Sequence, residues 1–234
     1  MFMTSKFREV YKPNLTSLMV VAGTLYSSWP LGYIFNPVGN RGLASNLQAL
    51  YQPYNWLFIG LDIVSGLIVC SVCYSLLNFV NNNTLGKTRN VLRASVLGTG
   101  VFGFLTALDA VLPLNCLEGS AQCISPLNNP YFVTHGIVSI GSIGGLTLSI
   151  FAIWLLLFWR EKAVMRLAHI PPALFMIIWF SFGVLTLILL LHNKSSDLAQ
   201  HFFIGFCSLW LVVFPYFVHL VVRLKPSLLL SEEI

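Results

Sequence analysis

The sequence predicts an all-α polytopic membrane protein, a single bundle of six transmembrane helices built from residues 1–234. Hydrophobic residues make up 56% of the chain and charged residues only 9%, whereas a soluble domain carries about 25% charged residues. Six apolar stretches each approach the roughly 20 residues that a helix needs to cross the hydrocarbon core. The connections between them are too short for a soluble domain. The predicted spans are about 15–34, 56–80, 94–114, 132–158, 171–191 and 198–222.

The boundaries of the spans carry residues that suit a membrane interface. Trp29 and Tyr33 near the end of span one suit an interfacial aromatic belt, and Trp56 opens span two. Pro30 is expected to kink or end the first helix. Pro171 and Pro172 suit the start of span five, because missing amide donors cost least in the first turn of a helix.

The distribution of basic residues predicts the orientation of the bundle. With a cytoplasmic N-terminus, eleven of the thirteen Lys and Arg residues lie inside, and only Arg41 and Lys194 lie outside. This is the positive-inside pattern, and it also places the C-terminus in the cytoplasm. The formal net charge of +5 therefore reflects topology and possible attraction to anionic lipid. Membrane lipids are the expected partners, and no nucleic-acid partner is predicted.

Small residues inside the spans predict close helix packing. Residues Gly98–Gly103 read GTGVFG and match GxGxxG, but a dinucleotide site needs this motif after a strand in a βαβ unit. In a membrane span, glycines instead let helices approach closely, and Gly141 and Gly145 in span four have the same interpretation. Cys70 and Cys73 form a CxxC within span two, where we also expect packing.

Two further cysteines share one predicted outer loop. Cys116 and Cys123 are separated by six residues, and an oxidising compartment would allow them to form a disulfide. Such a bond would close the loop over the outer mouth of the bundle. Two free thiols or a pair of metal ligands are the alternatives.

Ionisable and polar side chains gather in the outer third of the predicted bilayer. A charge within a membrane segment is costly and by default indicates a functional site. At 1.5 Å of rise per residue, the polar positions of four spans lie roughly 3–9 Å below the outer interface. Both intramembrane acids are on this side. The residues are Asp62, Asp109, His135, Ser139, Gln200 and His201.

The first hypothesis for these residues is an outward-facing pocket that binds or modifies a lipid-like molecule. Apolar walls with a few convergent polar groups suit an amphiphile, and Asp62, Gln200 and His201 are the predicted ligand-binding residues. A non-catalytic structural network is the alternative, although polar contacts between membrane helices contribute only about 1 kcal/mol or less. A water-filled cavity reaching Asp109 would favour the pocket. Direct carboxylate–imidazole pairs without a cavity would favour the structural network.

A third hypothesis is an enzyme. His135 could act as a general base that Asp109 orients, with Ser139 or a water as the nucleophile. Alternatively, Asp62, Asp109, His135 and His201 could hold a zinc ion with a water, as in a metal-dependent membrane hydrolase. Catalytic zinc sites commonly use three protein ligands and one open position. The predicted reaction class is hydrolysis or group transfer on a lipid.

Several stretches of the chain resemble a known family. They are QPYNWLFIGLDIVSG (52–66), DAVLPLNC (109–116) with Cys123, THGIVS (134–139), and Gln200-His201 with Trp210. Together they look like the uncharacterised bacterial membrane family catalogued as domain of unknown function 998, from about residue 17 to 222. The resemblance implies a bacterial inner membrane and family positions at Asp62, Asp109, His135 and Ser139. The arginine common in the family after the Gln of the last span is His201 here.

A more distant similarity is to the superfamily of membrane hydrolases that includes alkaline ceramidases, which use Asp, His and Ser with a metal. Those proteins have seven spans and an HxxxH in the last one. Here the predicted spans number six, and His201 and His219 lie eighteen residues apart. The similarity is therefore an analogy.

Overall fold

The computed structural model describes residues 13–35, 48, 52–112, 130–158, 170–191 and 197–223. The regular secondary structure of these residues is helical throughout, which confirms the all-α class, and no strand occurs among them. The helices are α1 (Pro13–Tyr26), α2 (Pro30–Phe35), α3 (Asn55–Asn83), α4 (Gly86–Ala110), α5 (Pro130–Phe158), α6 (Ile170–Leu191) and α7 (Asp197–Arg223).

Four of the described helices are long and apolar enough to cross a membrane. The stretches that could cross a membrane are all of α3, all of α4, Val133–Phe158 of α5 and Ala199–Arg223 of α7. In α6 a shorter apolar stretch covers Ala173–Leu185. The first predicted span is divided in two, because α1 ends at Tyr26 and Pro30 begins α2. Pro30 thus lies at the start of a helix, where its missing amide donor costs least.

The helices form a closed ring in chain order. Each long helix packs on the next one along the chain, in the order α1, α3, α4, α5, α6 and α7, and α7 packs back on α1. In addition, α7 contacts α5 and α3 across the ring. The most extensive contacts join α3 to α4 and α4 to α5. These two pairs therefore set the relative positions of the polar groups at one end of the bundle.

Glycines allow this close approach, as the sequence predicts. A Cβ atom on Gly98 would lie 2.5 Å from the carbonyl oxygen of Gly145, and one on Gly145 would lie 2.7 Å from that of Gly98. At Gly103 a Cβ atom would lie 2.7 Å from the Cβ of Val69. The backbones of α4 and α5 are thus in direct contact, and α3 meets α4 in the same way.

The cysteines of α3 pack against α4. Cys73 is buried, and the Sγ of Cys70 lies 3.6 Å from the carbonyl oxygen of Gly100. Both are free thiols, in agreement with a packing role for the CxxC. Cys116 and Cys123 lie outside the described residues, so the disulfide between them stays a prediction.

A buried hydroxyl network joins three helices in the middle of the bundle. Ser95 Oγ donates to the carbonyl oxygen of Ser149 at 3.0 Å, and the hydroxyls of Thr99 and Ser149 are 2.7 Å apart. The indole nitrogen of Trp210 donates to Ser149 Oγ at 3.3 Å. Buried polar groups need such partners, and here hydrogen bonds connect α4, α5 and α7. These contacts could not be predicted from the sequence, because isolated hydroxyls in apolar helices carry no distinctive pattern.

Candidate functional site

One carboxylate holds two other candidate residues at one end of the bundle. Asp109 lies in the last turn of α4, and His135 and Ser139 lie one turn apart near the start of α5. His135 Nδ1 is 2.9 Å from Asp109 Oδ1, and Ser139 Oγ donates to Asp109 Oδ2 at 2.9 Å. The side chain of His135 is 7% exposed and that of Asp109 is 22% exposed. We call these three residues the carboxylate cluster.

The geometry of the carboxylate cluster differs from that of an activated serine nucleophile. In such sites the nucleophile is within hydrogen-bonding reach of the base, and a third group orients the base. Here the hydroxyl of Ser139 donates to Asp109, which also contacts His135. The carboxylate therefore lies between the imidazole and the hydroxyl. This arrangement suits a bridge between α4 and α5 better than the transfer of a proton from Ser139 to His135.

Asp62 of α3 lies at the same end of the bundle. Gln48 Nε2 donates a hydrogen bond to Asp62 Oδ2. The side chains of Asp62 and Asp109 are close enough to interact electrostatically, and both also interact with Tyr26 of α1. The two acids were predicted from the sequence as site residues, whereas Gln48 and Tyr26 were not. Gln48 comes from a stretch between α2 and α3 whose polarity was the only signal available.

His201 of α7 lies in a different environment. Its imidazole ring stacks on Trp29, with ring centroids 4.0 Å apart and an interplanar angle of 11°. His201 is buried, and Gln200 before it is partly buried. Both aromatic rings border a groove of about 250 Å³, which we call the α7 groove. The α7 groove is lined by Trp29, His201, Phe202, Gly205, Phe206 and Leu209.

The proposed zinc ligands are not assembled into one site. Asp109 and His135 pair between α4 and α5, whereas His201 is held against Trp29. In the part of the chain that the structure describes, no three His, Cys, Asp or Glu side chains are placed to hold a metal ion. A catalytic zinc needs about three protein ligands. The set of Asp62, Asp109, His135 and His201 therefore does not form a preassembled zinc site.

The candidate residues thus separate into two groups. Asp109, His135 and Ser139 form the carboxylate cluster, with Asp62 nearby, and His201 belongs to the α7 groove. The sequence predicted that Trp29 lies at an interface, but not that it stacks on His201. Comparisons of the chain with protein-family models, with curated proteins and with solved structures each find no match. The function must therefore be inferred from the geometry of these two groups.

Proposed function

We propose that this protein is a six-span bacterial inner-membrane protein that binds a lipid-like molecule in the α7 groove. The four membrane-length helices support the membrane location. The remaining two spans in this proposal are α1 with α2, and α6. The positive-inside pattern supports cytoplasmic termini. The stretches that resemble the family catalogued as domain of unknown function 998 support membership of that family.

The α7 groove is the observation that carries the proposed ligand class. Its surface is almost entirely apolar, and the rings of Trp29 and His201 border it. Mostly apolar walls suit the hydrocarbon part of a lipid-like molecule. Phe202 and Leu209 are 51% and 46% exposed. The groove is therefore open at the side of the bundle, where the surrounding medium in a membrane is the acyl chains of lipids. Molecules dissolved in the bilayer can enter it without passing through water.

Filling the α7 groove is expected to weaken this binding. A Cβ atom on Gly205 meets nothing within 4 Å, so Gly205→Leu should fold normally while its side chain occupies the groove. Forcing a ligand into occupied space costs about 1–3 kcal/mol, which corresponds to about 5- to 150-fold weaker binding. The measurement is the fluorescence titration of the purified protein with a nitrobenzoxadiazole-labelled single-chain phospholipid.

Gly144→Leu is the matched control for this experiment. Gly144 lies on α5, is exposed, and likewise has open space around its Cβ position. We expect Gly144→Leu to bind the probe as the wild type does. Equal probe binding by the wild type and both variants would disprove a ligand site in the α7 groove.

The proposed topology has a separate test. Truncated chains fused to alkaline phosphatase should be active when they end within residues 113–129, which would lie outside, and inactive when they end within residues 159–169. A fluorescent protein at the C-terminus should fluoresce, since it folds in the cytoplasm. Active phosphatase at 159–169 would reverse the proposed orientation.

A structural role for the carboxylate cluster is the second candidate, and the direct contact between Asp109 and His135 favours it. Such a pair, without a cavity beside it, is what the structural-network hypothesis predicts. In this case the cluster stabilises the contact between α4 and α5, and ligand binding depends on the α7 groove alone. The two candidates are compatible, because they concern different residues.

A further inference from the structure

The described charges are completely segregated along the bundle. The acids lie at the end that carries the carboxylate cluster, at the C-terminal end of α4 and towards the N-terminal end of α3. The basic residues lie at the opposite end, where His219 of α7 stacks on Phe79 of α3. The acids with described side chains are Asp62 and Asp109, and the described basic residues are Lys87, Arg89, Arg93 and Arg223.

The start of α4 concentrates positive charge at this opposite end. Its N-cap residue, Leu85, makes no side-chain capping hydrogen bond, and no acid lies in its first turn. The positive end of the helix dipole therefore adds to the charges of the arginines instead of being compensated. Within the described residues, the buried Nε of Arg89 has no hydrogen-bond partner. Arg93 follows one turn later and is exposed.

An apolar stripe continues from these arginines along the same side of α4. Leu97 and Val101 follow Arg93 at intervals of four residues, and Phe104 comes next. Their side chains are 49%, 45% and 60% exposed. A cationic head region followed by an exposed apolar stripe is complementary to a molecule with an anionic head and a hydrocarbon chain.

We propose that this surface of α4 binds an anionic phospholipid. The headgroup phosphate accepts hydrogen bonds from Arg89 and Arg93, whose guanidinium groups suit phosphate oxygens. One acyl chain lies along Leu97, Val101 and Phe104. This site is at the other end of the bundle from the carboxylate cluster and is independent of the α7 groove. Either site can be disproved without affecting the other.

The test is titration of the purified full-length protein with phosphatidylglycerol and with phosphatidylcholine of the same acyl chains, followed by native mass spectrometry. Each basic residue near an anionic lipid contributes roughly fivefold in affinity. We expect the wild type to prefer phosphatidylglycerol by about 30-fold, and Arg93→Gln alone to reduce that preference about fivefold. The double variant R89Q/R93Q should lose it, whereas R89K/R93K, which keeps both charges, should retain most of it.

Arg223→Gln removes one charge from α7 at the same end of the bundle and is the matched control for Arg93→Gln. A site on α4 predicts that Arg223→Gln keeps the preference for phosphatidylglycerol. If Arg223→Gln loses as much of this preference as Arg93→Gln, the attraction is a general effect of positive charge and the proposal is overturned. Equal affinity of the wild type for the two lipids would also overturn it. Displacement of phosphatidylglycerol by excess inorganic phosphate would show a site for free phosphate and not for lipid. Because Arg93 is exposed, its variant is expected to fold even if the double variant does not.

Discussion

Replacing Asp109 by alanine is expected to lower the free energy of unfolding by about 2–3 kcal/mol. The substitution removes both the contact with His135 Nδ1 and the acceptor of the Ser139 hydroxyl, each at 2.9 Å. Loss of a charged hydrogen-bonding partner leaves buried polar groups without their native interactions, which costs more than the bond itself contributes. Reversible unfolding in mixed micelles with increasing sodium dodecyl sulfate measures the change. Ser139→Ala removes a single hydroxyl and should cost about 1 kcal/mol or less.

A double-mutant cycle isolates the interaction between Asp109 and His135. Residues in direct contact show coupling energies of about 0.5–3 kcal/mol, so the double variant D109A/H135A should be less destabilised than the sum of the single variants. Zero coupling would contradict a structural role for this contact. If D109A remains as stable as the wild type but loses the labelled phospholipid, the carboxylate acts on the ligand and the carboxylate cluster is part of the binding site.

Gly98→Ala is expected to destabilise the bundle by about 1–3 kcal/mol. The added Cβ atom would lie 2.5 Å from the carbonyl oxygen of Gly145 and 3.2 Å from the amide nitrogen of Ser149. Both are backbone atoms of α5, which cannot rotate away as the end of a flexible side chain can. The helices must therefore separate, and the buried hydrogen bonds of Ser149 with Ser95 and Thr99 lengthen with them. Thermal unfolding followed by tryptophan fluorescence measures the effect.

Gly144→Ala is the control for this prediction, since it adds the same methyl group one residue before Gly145. Nothing lies within 4 Å of its Cβ position, and alanine favours a helix by up to about 1 kcal/mol relative to glycine. We expect unchanged or slightly raised stability. Similar losses in Gly98→Ala and Gly144→Ala would mean that close contact between α4 and α5 does not determine the effect.

The sequence allowed the helices to be predicted because the signals for membrane helices are local. A long run of apolar residues indicates a membrane span, and four of the six predicted spans correspond to described helices of membrane-crossing length. Pro30 indicated a break, and the chain does leave the helix between Tyr26 and Pro30. Small residues at Gly98 and Gly145 indicated close packing, although the pairing of these two glycines required the relative position of two helices.

The candidate site could be predicted only in part. Asp109 and His135 stand out because ionisable groups are costly in apolar helices, and their direct contact agrees with one of the hypotheses drawn from the sequence. The direction of the Ser139 hydroxyl depends on the rotation of α5 against α4, which helical spacing does not specify. The hydrogen bond from Gln48 to Asp62 joins a stretch outside the spans to α3, and no local pattern encodes it.

By itself, the sequence determined the helical class, the helices of membrane-crossing length and the polar residues within them, because composition and helical periodicity act over a few neighbouring residues. Tertiary structure alone decided which of those residues meet. It placed Ser139 on the carboxylate of Asp109, separated His201 from Asp109 and stacked it on Trp29. These choices follow from helix packing at glycine contacts, where an added Cβ atom would clash with the backbone of the neighbouring helix.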